Sequence, residues 1–129
     1  MPLDPDDSAT TARDFVLNLI RTNAPGTVME VGLRNADGNE LDPVDCPGYA
    51  RVPVSWGSLW QVPASGSMSS VAIHFPDATA EWTDAGMRDV IYADGYAWDS
   101  EDLVDPIVVT AAGAGPVLTL VRSFEDAVG

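Results

Sequence analysis

At 129 residues, 46 % of them hydrophobic, the chain can bury one ordinary core and is too apolar to be disordered. Its 20 acidic residues stand against six arginines and no lysine, a formal charge of −14; that field disfavours nucleic acid and anionic membranes, and the missing lysine removes Schiff-base and P-loop chemistry. Cys46 is the single cysteine, so no intrachain disulfide forms and Cys46 reads as a small buried or loop residue, while no apolar run approaches the ~20 residues that span a bilayer.

Residues 1–10 are acidic and proline-containing and read as a flexible arm. They lack the basic-then-apolar order of a signal peptide, so synthesis and assembly in the cytoplasm are expected. A short helix is predicted over 11–23. Ser8, Thr10 or Thr11 can cap it, Asp14 suits its first turn, and Phe15, Val16, Leu19 and Ile20 form a stripe expected to face a core or a neighbouring subunit. Asn23, Pro25 and Gly26 end it.

Beyond Gly26 the apolar period changes from that of a helix to two. Val28 to Leu33 sets Met29, Val31 and Leu33 on one face. Ala50 to Trp56 sets Val52, Val54 and Trp56 together, and Ser69 to Phe75 does the same for Val71, Ile73 and Phe75. Met87 to Ala93 puts Val90 and Tyr92 on one face and Ile91 on the other. Pro106 to Thr110 and Val117 to Val121 add two apolar runs. Alternation of this kind marks half-buried antiparallel strands, and Asp-Gly, Pro-Gly, Ser-Gly-Ser and Ala-Gly-Ala-Gly-Pro between them are turn compositions. The expected fold is mainly β: an antiparallel β-sandwich of about six to eight short strands with one short N-terminal helix. One domain over 11–122 and a tail over 123–129 complete the organisation. Two acidic segments, Asn35 to Tyr49 and Asp94 to Asp105, read as long loops, a length that in a compact domain points to binding.

Little in the chain carries chemistry. His74, the one histidine, sits on the strand face opposite Ile73 and Phe75, with Asp77 beyond Pro76 and no nucleophile elbow nearby. One His and one Cys far apart give no zinc spacing. Calcium takes oxygen ligands from acidic loops, so Asp99, Glu101, Asp102 and Asp105 are the metal candidates, and Asn35 to Asp42 is a second oxygen-rich run with its glycine misplaced for an EF-hand. No enzymatic activity and no other cofactor are expected. Trp56 shares a face with Val52 and Val54 and reads as core. Trp60, Tyr96 and Trp98 stand in turn-like contexts and are expected to be exposed, where aromatic rings mark protein interfaces or sugar-binding faces. Phe15 and Ile20 on the helix are the other contact candidates.

The segment Gly48-Tyr49-Ala50-Arg51, the pair Phe75-Pro76, the run Ala78-Thr79-Ala80 with Trp82, and Asp94-Gly95 together resemble a family of small tailed-phage virion proteins of tail-fibre-like or head-decoration-like type. A Gly-containing turn at Ala112 to Pro116 and the closing Val117-Leu118-Thr119-Leu120 are similar to that family's last strand. Trp82-Thr83 stands where the family has Trp-Gly. The resemblance implies a non-enzymatic structural protein of the virion and brings no catalytic residue. Its short acidic chain suits an accessory or decoration protein on the outer capsid surface, bound to the major capsid protein or other virion proteins and associated as a trimer or dimer. The alternatives are a tail-fibre or tail-associated protein and a carbohydrate-binding adhesion module for a host glycan.

Overall fold

A computed structural model of the protein describes residues 5–123, and their side chains from residue 12 onward. The capping side chains expected at Ser8, Thr10 and Thr11, the first four residues of the arm and the tail beyond Ser123 lie outside that description. The described chain is mainly β, antiparallel and sandwich-like, with eight strands and two helices. It divides into two compact units, each discontinuous in sequence, where one domain over 11–122 was expected.

The first unit combines residues up to Ala24 with Ser55–Val71 and the segment from Thr119. Its helix α1 runs Pro5–Thr22, so residues 5–10 of the expected arm are helical. Thr22 and Asn23 end it by turning their side chains back: Thr22 Oγ1 donates to the Asn18 carbonyl at 2.8 Å and Asn23 Nδ2 to the Leu19 carbonyl at 2.7 Å. The Leu19 carbonyl is one that no further helical N–H reaches, and the Asn23 side chain occupies it. The inward face differs from the expected stripe. Leu17 is buried, Val16 and Ile20 are half-buried, and Phe15 and Leu19 point outward. A 3.6-residue period offers two overlapping faces here, and the local partners select the one through Leu17.

Those partners come from the short helix α2, Trp56–Leu59, and from strand β3, Ser67–Ser69, which lies beside β8, Val121–Ser123. Trp56 is buried as expected, but it opens α2 instead of closing a strand, and its Nε1 donates to the Ile20 carbonyl at 2.9 Å. Strands β3 and β8 pair antiparallel, Met68 opposite Arg122. Beside them the Ser70 Oγ accepts the Leu120 N–H at 2.9 Å, while the Ser70 N–H donates to the Leu120 carbonyl.

The second unit joins Pro25–Val54 to Ala72–Leu118. Its main sheet has the order β2-β1-β5-β6. Strands β1, Met29–Arg34, and β5, Gly86–Ala93, form the middle, and β2, Val52–Val54, and β6, Tyr96–Ile107, form the edges. The register places Val31 opposite Ile91 and Gly32 opposite Val90. Met29, Val31, Leu33, Val90, Ile91 and Tyr92 are all buried, so both faces of the two central strands are covered. A second ribbon pairs β4, Ile73–His74, with β7, Val117–Leu118.

Four expected strands are cut short, Ala50 to Trp56 among them, reduced to the three residues of β2. The run Ser69 to Phe75 splits between β3 and β4, leaving Val71 exposed while Ile73 and Phe75 are buried. Val117 to Val121 splits between β7 and β8, and Pro106 to Thr110 contributes only the end of β6. The cuts between β3 and β4 and between β7 and β8 each end one pairing and begin another. Alternation records which side a residue faces and not which strand its backbone bonds to.

Ser70→Ala would leave the Leu120 N–H buried without its acceptor, and a urea titration should show a loss of about 1–3 kcal/mol, the cost of an orphaned buried donor.

Candidate interaction surface on the β5–β6 hairpin

Asp94 to Asp105, read from sequence as a loop, is almost entirely strand. Asp94 and Gly95 make a two-residue turn, both with positive φ (50° and 86°), and Ala93 pairs with Tyr96 across it. This is the turn whose twist matches that of a hairpin, and Asp-Gly is its preferred sequence. The Asp94 carboxylate is also used: Oδ1 accepts the N–H groups of Val28 at 2.7 Å and Thr27 at 3.0 Å. Those backbone donors, Val28 first, hold its pKa below the usual aspartate range.

Two register shifts interrupt the β5–β6 ladder. Ile91 faces Asp99, but the next pair is Tyr92 with Ala97, so Trp98 is the extra residue of a β-bulge. Between Arg88–Asp102 and Gly86–Ile107 the second shift opposes Leu103–Pro106 to Met87 alone. Asp99–Asp102 is the regular stretch between the bulges, paired residue by residue with Arg88–Ile91. The acidic candidates are therefore spread along a strand. Asp99 and Glu101 lie on one face and Asp102 on the other, where Arg88 Nη1 meets its Oδ1 at 2.8 Å and Arg88 Nη2 donates to Ser100 Oγ at 3.1 Å. Asp105 lies in the second bulge. Among the described residues no three His, Cys, Asp or Glu come together as a metal-ligand set. A strand explains why: successive side chains diverge to opposite faces, whereas a loop can turn them to one point.

The aromatic candidates separate. Tyr96 is 80 % exposed and Trp98 43 %, and Val104 in the second bulge is 98 % exposed. Trp60 does not join them. It is only 5 % exposed, edge-on to Trp56 at 5.8 Å between centroids, and its Nε1 has no hydrogen-bond partner among the described residues. The Trp60-Gln61 context reads as a turn, but the Trp60–Ser70 bridge pulls the ring inward. On the first unit Phe15, 64 % exposed, borders a shallow groove with Asp14, Asn18, Val62 and Pro63, while Ile20 is half-buried and its carbonyl receives Trp56. His74 is exposed on β4, and Asp77 is used locally, its Oδ1 accepting the Gly115 N–H at 3.2 Å.

The second acidic segment, Asn35 to Tyr49, is held by contacts that composition does not announce. Asn35 Oδ1 accepts the N–H groups of Asp37 and Asn39, both at 3.0 Å, and Asp42 Oδ1 accepts that of Val44 at 2.8 Å. These oxygens close backbone turns. Glu40 does more. Its Oε1 accepts Arg51 Nη2, and its Oε2 accepts Arg51 Nε and the Tyr49 hydroxyl, all at 2.9 Å. The Tyr49 oxygen in turn accepts the buried Leu33 N–H at 3.0 Å, and the Arg51 guanidinium lies 3.6 Å from the Tyr92 ring centroid. The fork to Arg51 holds the Glu40 carboxyl below its ordinary range, and burial pushes the Tyr49 hydroxyl up. The only sequence trace of the network was the proximity of Glu40, Tyr49 and Arg51 at one end of a loop.

No family model and no curated protein sequence matches the chain.

Two substitutions test the network. Gly32→Ala places a methyl 2.7 Å from the Tyr49 oxygen and 3.0 Å from the Tyr92 ring, and unfolding should show about 1–3 kcal/mol of overpacking. Glu40 has a lower pKa folded than its ordinary 4.5, so its contribution is fully present above that value and is lost as pH falls through the folded pKa. Glu40→Gln should be less stable at neutral pH and should show a shallower acid limb in a plot of stability against pH.

Proposed function

We propose that this protein is a non-enzymatic accessory component of a tailed-phage particle, attached to the outer capsid surface through the β5–β6 hairpin. The observation that carries the docking role is the hairpin itself: Tyr96, Trp98 and Val104 expose apolar surface on a strand that also carries Asp99, Glu101, Asp102 and Asp105. Rigid aromatic rings offer large contact area at small entropic cost, and acids around them select against like-charged partners. The capsid, in place of any other large assembly, comes from the resemblance of Gly48 to Gly95 to virion proteins. A partner presenting basic residues fits the charge of −14. Many copies on one particle would let each bind modestly.

A second reading, glycan adhesion, draws on Tyr96 and Trp98, since an exposed ring beside carboxylates suits a sugar's apolar face and hydroxyl groups.

Gradient-purified, tail-less heads from infected cells should carry the protein. Tyr96→Ala with Trp98→Ala should lower its occupancy about tenfold or more, as loss of aromatic anchors does at interfaces, with the circular dichroism spectrum unchanged. Presence on detached tails alone would move the protein to the tail, and absence from purified particles of either kind would end the virion reading. Glycan-array binding abolished by Trp98→Ala would favour adhesion instead.

A further inference from the structure

We propose that β6 is a strand-addition site that takes an extended basic segment of a partner protein. The inference rests on the docking role proposed above and names the partner's chemistry. In the order β2-β1-β5-β6, β6 pairs with β5 on one side, and no described strand pairs with its other side. An edge strand presents its outward N–H and C=O groups to any extended backbone that approaches.

The two edges of the sheet are not equivalent. On the β2 side, where pairing stops at Val52, the Leu33 N–H is taken by Tyr49 and the Leu33 carbonyl by the Leu41 N–H at 3.1 Å. The β1 backbone beyond β2 is thereby closed from within, and β2 itself offers only three residues, of which Pro53 has no N–H to donate. The β6 edge keeps the unbroken stretch Asp99–Asp102, bracketed by bulges at Trp98 and at Leu103–Pro106. The bulges limit any added strand to about the length of a short one. They also place Trp98 and Val104 at its two ends, where an added segment would cover exposed apolar surface.

Charge decides which strand fits. Asp99, Glu101 and Asp102 occupy three of the four regular positions, and β6 contains no basic residue. Two copies pairing through β6 would set these rows against each other at ~5 Å, and like charges directly opposite destabilise a ladder. A neutral strand would gain backbone hydrogen bonds alone. A strand with Arg or Lys at alternate positions gains the same bonds and sets cations beside Glu101 and Asp99 on one face of the sheet. The acids therefore protect the edge from self-association while leaving it open to a basic segment.

The test uses the full chain and the peptide acetyl-Arg-Val-Arg-Val-Arg-amide, with its Glu counterpart and an Arg version methylated at every backbone nitrogen, which keeps the charge but has no backbone N–H to donate. Binding is read by calorimetry and by amide hydrogen exchange at residues 99–102. The Arg peptide should bind and slow exchange there, and both controls should bind about tenfold more weakly or worse, since main-chain bonds and charge each supply part of the affinity. Glu101→Lys with Asp105→Lys should weaken the Arg peptide about tenfold with the native spectrum intact. Equal binding of the N-methylated peptide, no binding of the Arg peptide, or protection of 99–102 that rises with protein concentration alone would each overturn strand addition. Particle-bound protein without the peptide effect would overturn strand addition and leave the virion reading standing. The peptide effect in a protein never found on particles would do the reverse.

Discussion

The second unit depends on one carboxylate. Glu40 receives both Arg51 and the Tyr49 hydroxyl, and through Tyr49 it reaches the backbone of β1 at Leu33. A strand that outruns its neighbour leaves buried N–H and C=O groups whose desolvation would otherwise be uncompensated. Here β1 extends beyond β2, and a tyrosine oxygen and the Leu41 N–H complete the ladder. Gly32 is part of the same device, because any side chain there would stand where the hydroxyl must lie. The Arg51 guanidinium, positioned by Glu40, then covers the ring of Tyr92 on β5. One acid thus orders a long loop, finishes an edge and covers part of a face.

The β1 backbone beyond β2 is thus closed from within the unit. Further straps hold the long loop. The Trp82 indole donates to the Pro47 carbonyl at 3.0 Å and the Thr83 N–H to the Asp45 carbonyl at 2.9 Å. Between these straps Cys46 is buried, and burial raises its thiol pKa, which suits an inert packing residue. With the loop committed to the fold, Tyr96, Trp98, Glu101, Asp102 and Asp105 of β6 stand exposed on the sheet. The acidic composition of the chain therefore has two structural uses. Some carboxylates, such as Asp94, Asp42 and Glu40, satisfy the chain's own donors. Others, such as Glu101 and Asp105, face outward on the edge strand.

Much of the architecture was legible. Met29, Val31 and Leu33 share a buried face as alternation predicted, and so do Val90 and Tyr92, but Ile91 on the opposite face is buried as well, so β5 is covered on both sides where a half-buried strand was expected. Tyr96 and Trp98 were found as exposed rings from their surroundings alone, although the reason given, a loop, was wrong. Trp60 was misread because a Gly/Ser-rich context reports the backbone and says nothing of where a ring can be buried. The stripe on α1 was misassigned by one position for a similar reason: Phe15 and Leu17 both fit an amphipathic helix, and the packing around Leu17 chose between them.

The sequence by itself determined the β character of the chain, the turn at Asp94-Gly95, the inward faces of β1 and β5, and the overwhelming negative charge. These follow from local rules of side-chain period, backbone freedom at glycine and a count of ionisable groups, none of which needs a distant partner. Only the tertiary structure decided that Asp94 to Asp105 is a bulged edge strand, that Trp60 is inside, that Glu40 completes β1, and that the segments of each unit are drawn from separate parts of the chain. Each of those depends on which backbone groups remain unpaired once the strands have found one another, and that remainder is a property of the assembled ladder, which no single segment encodes.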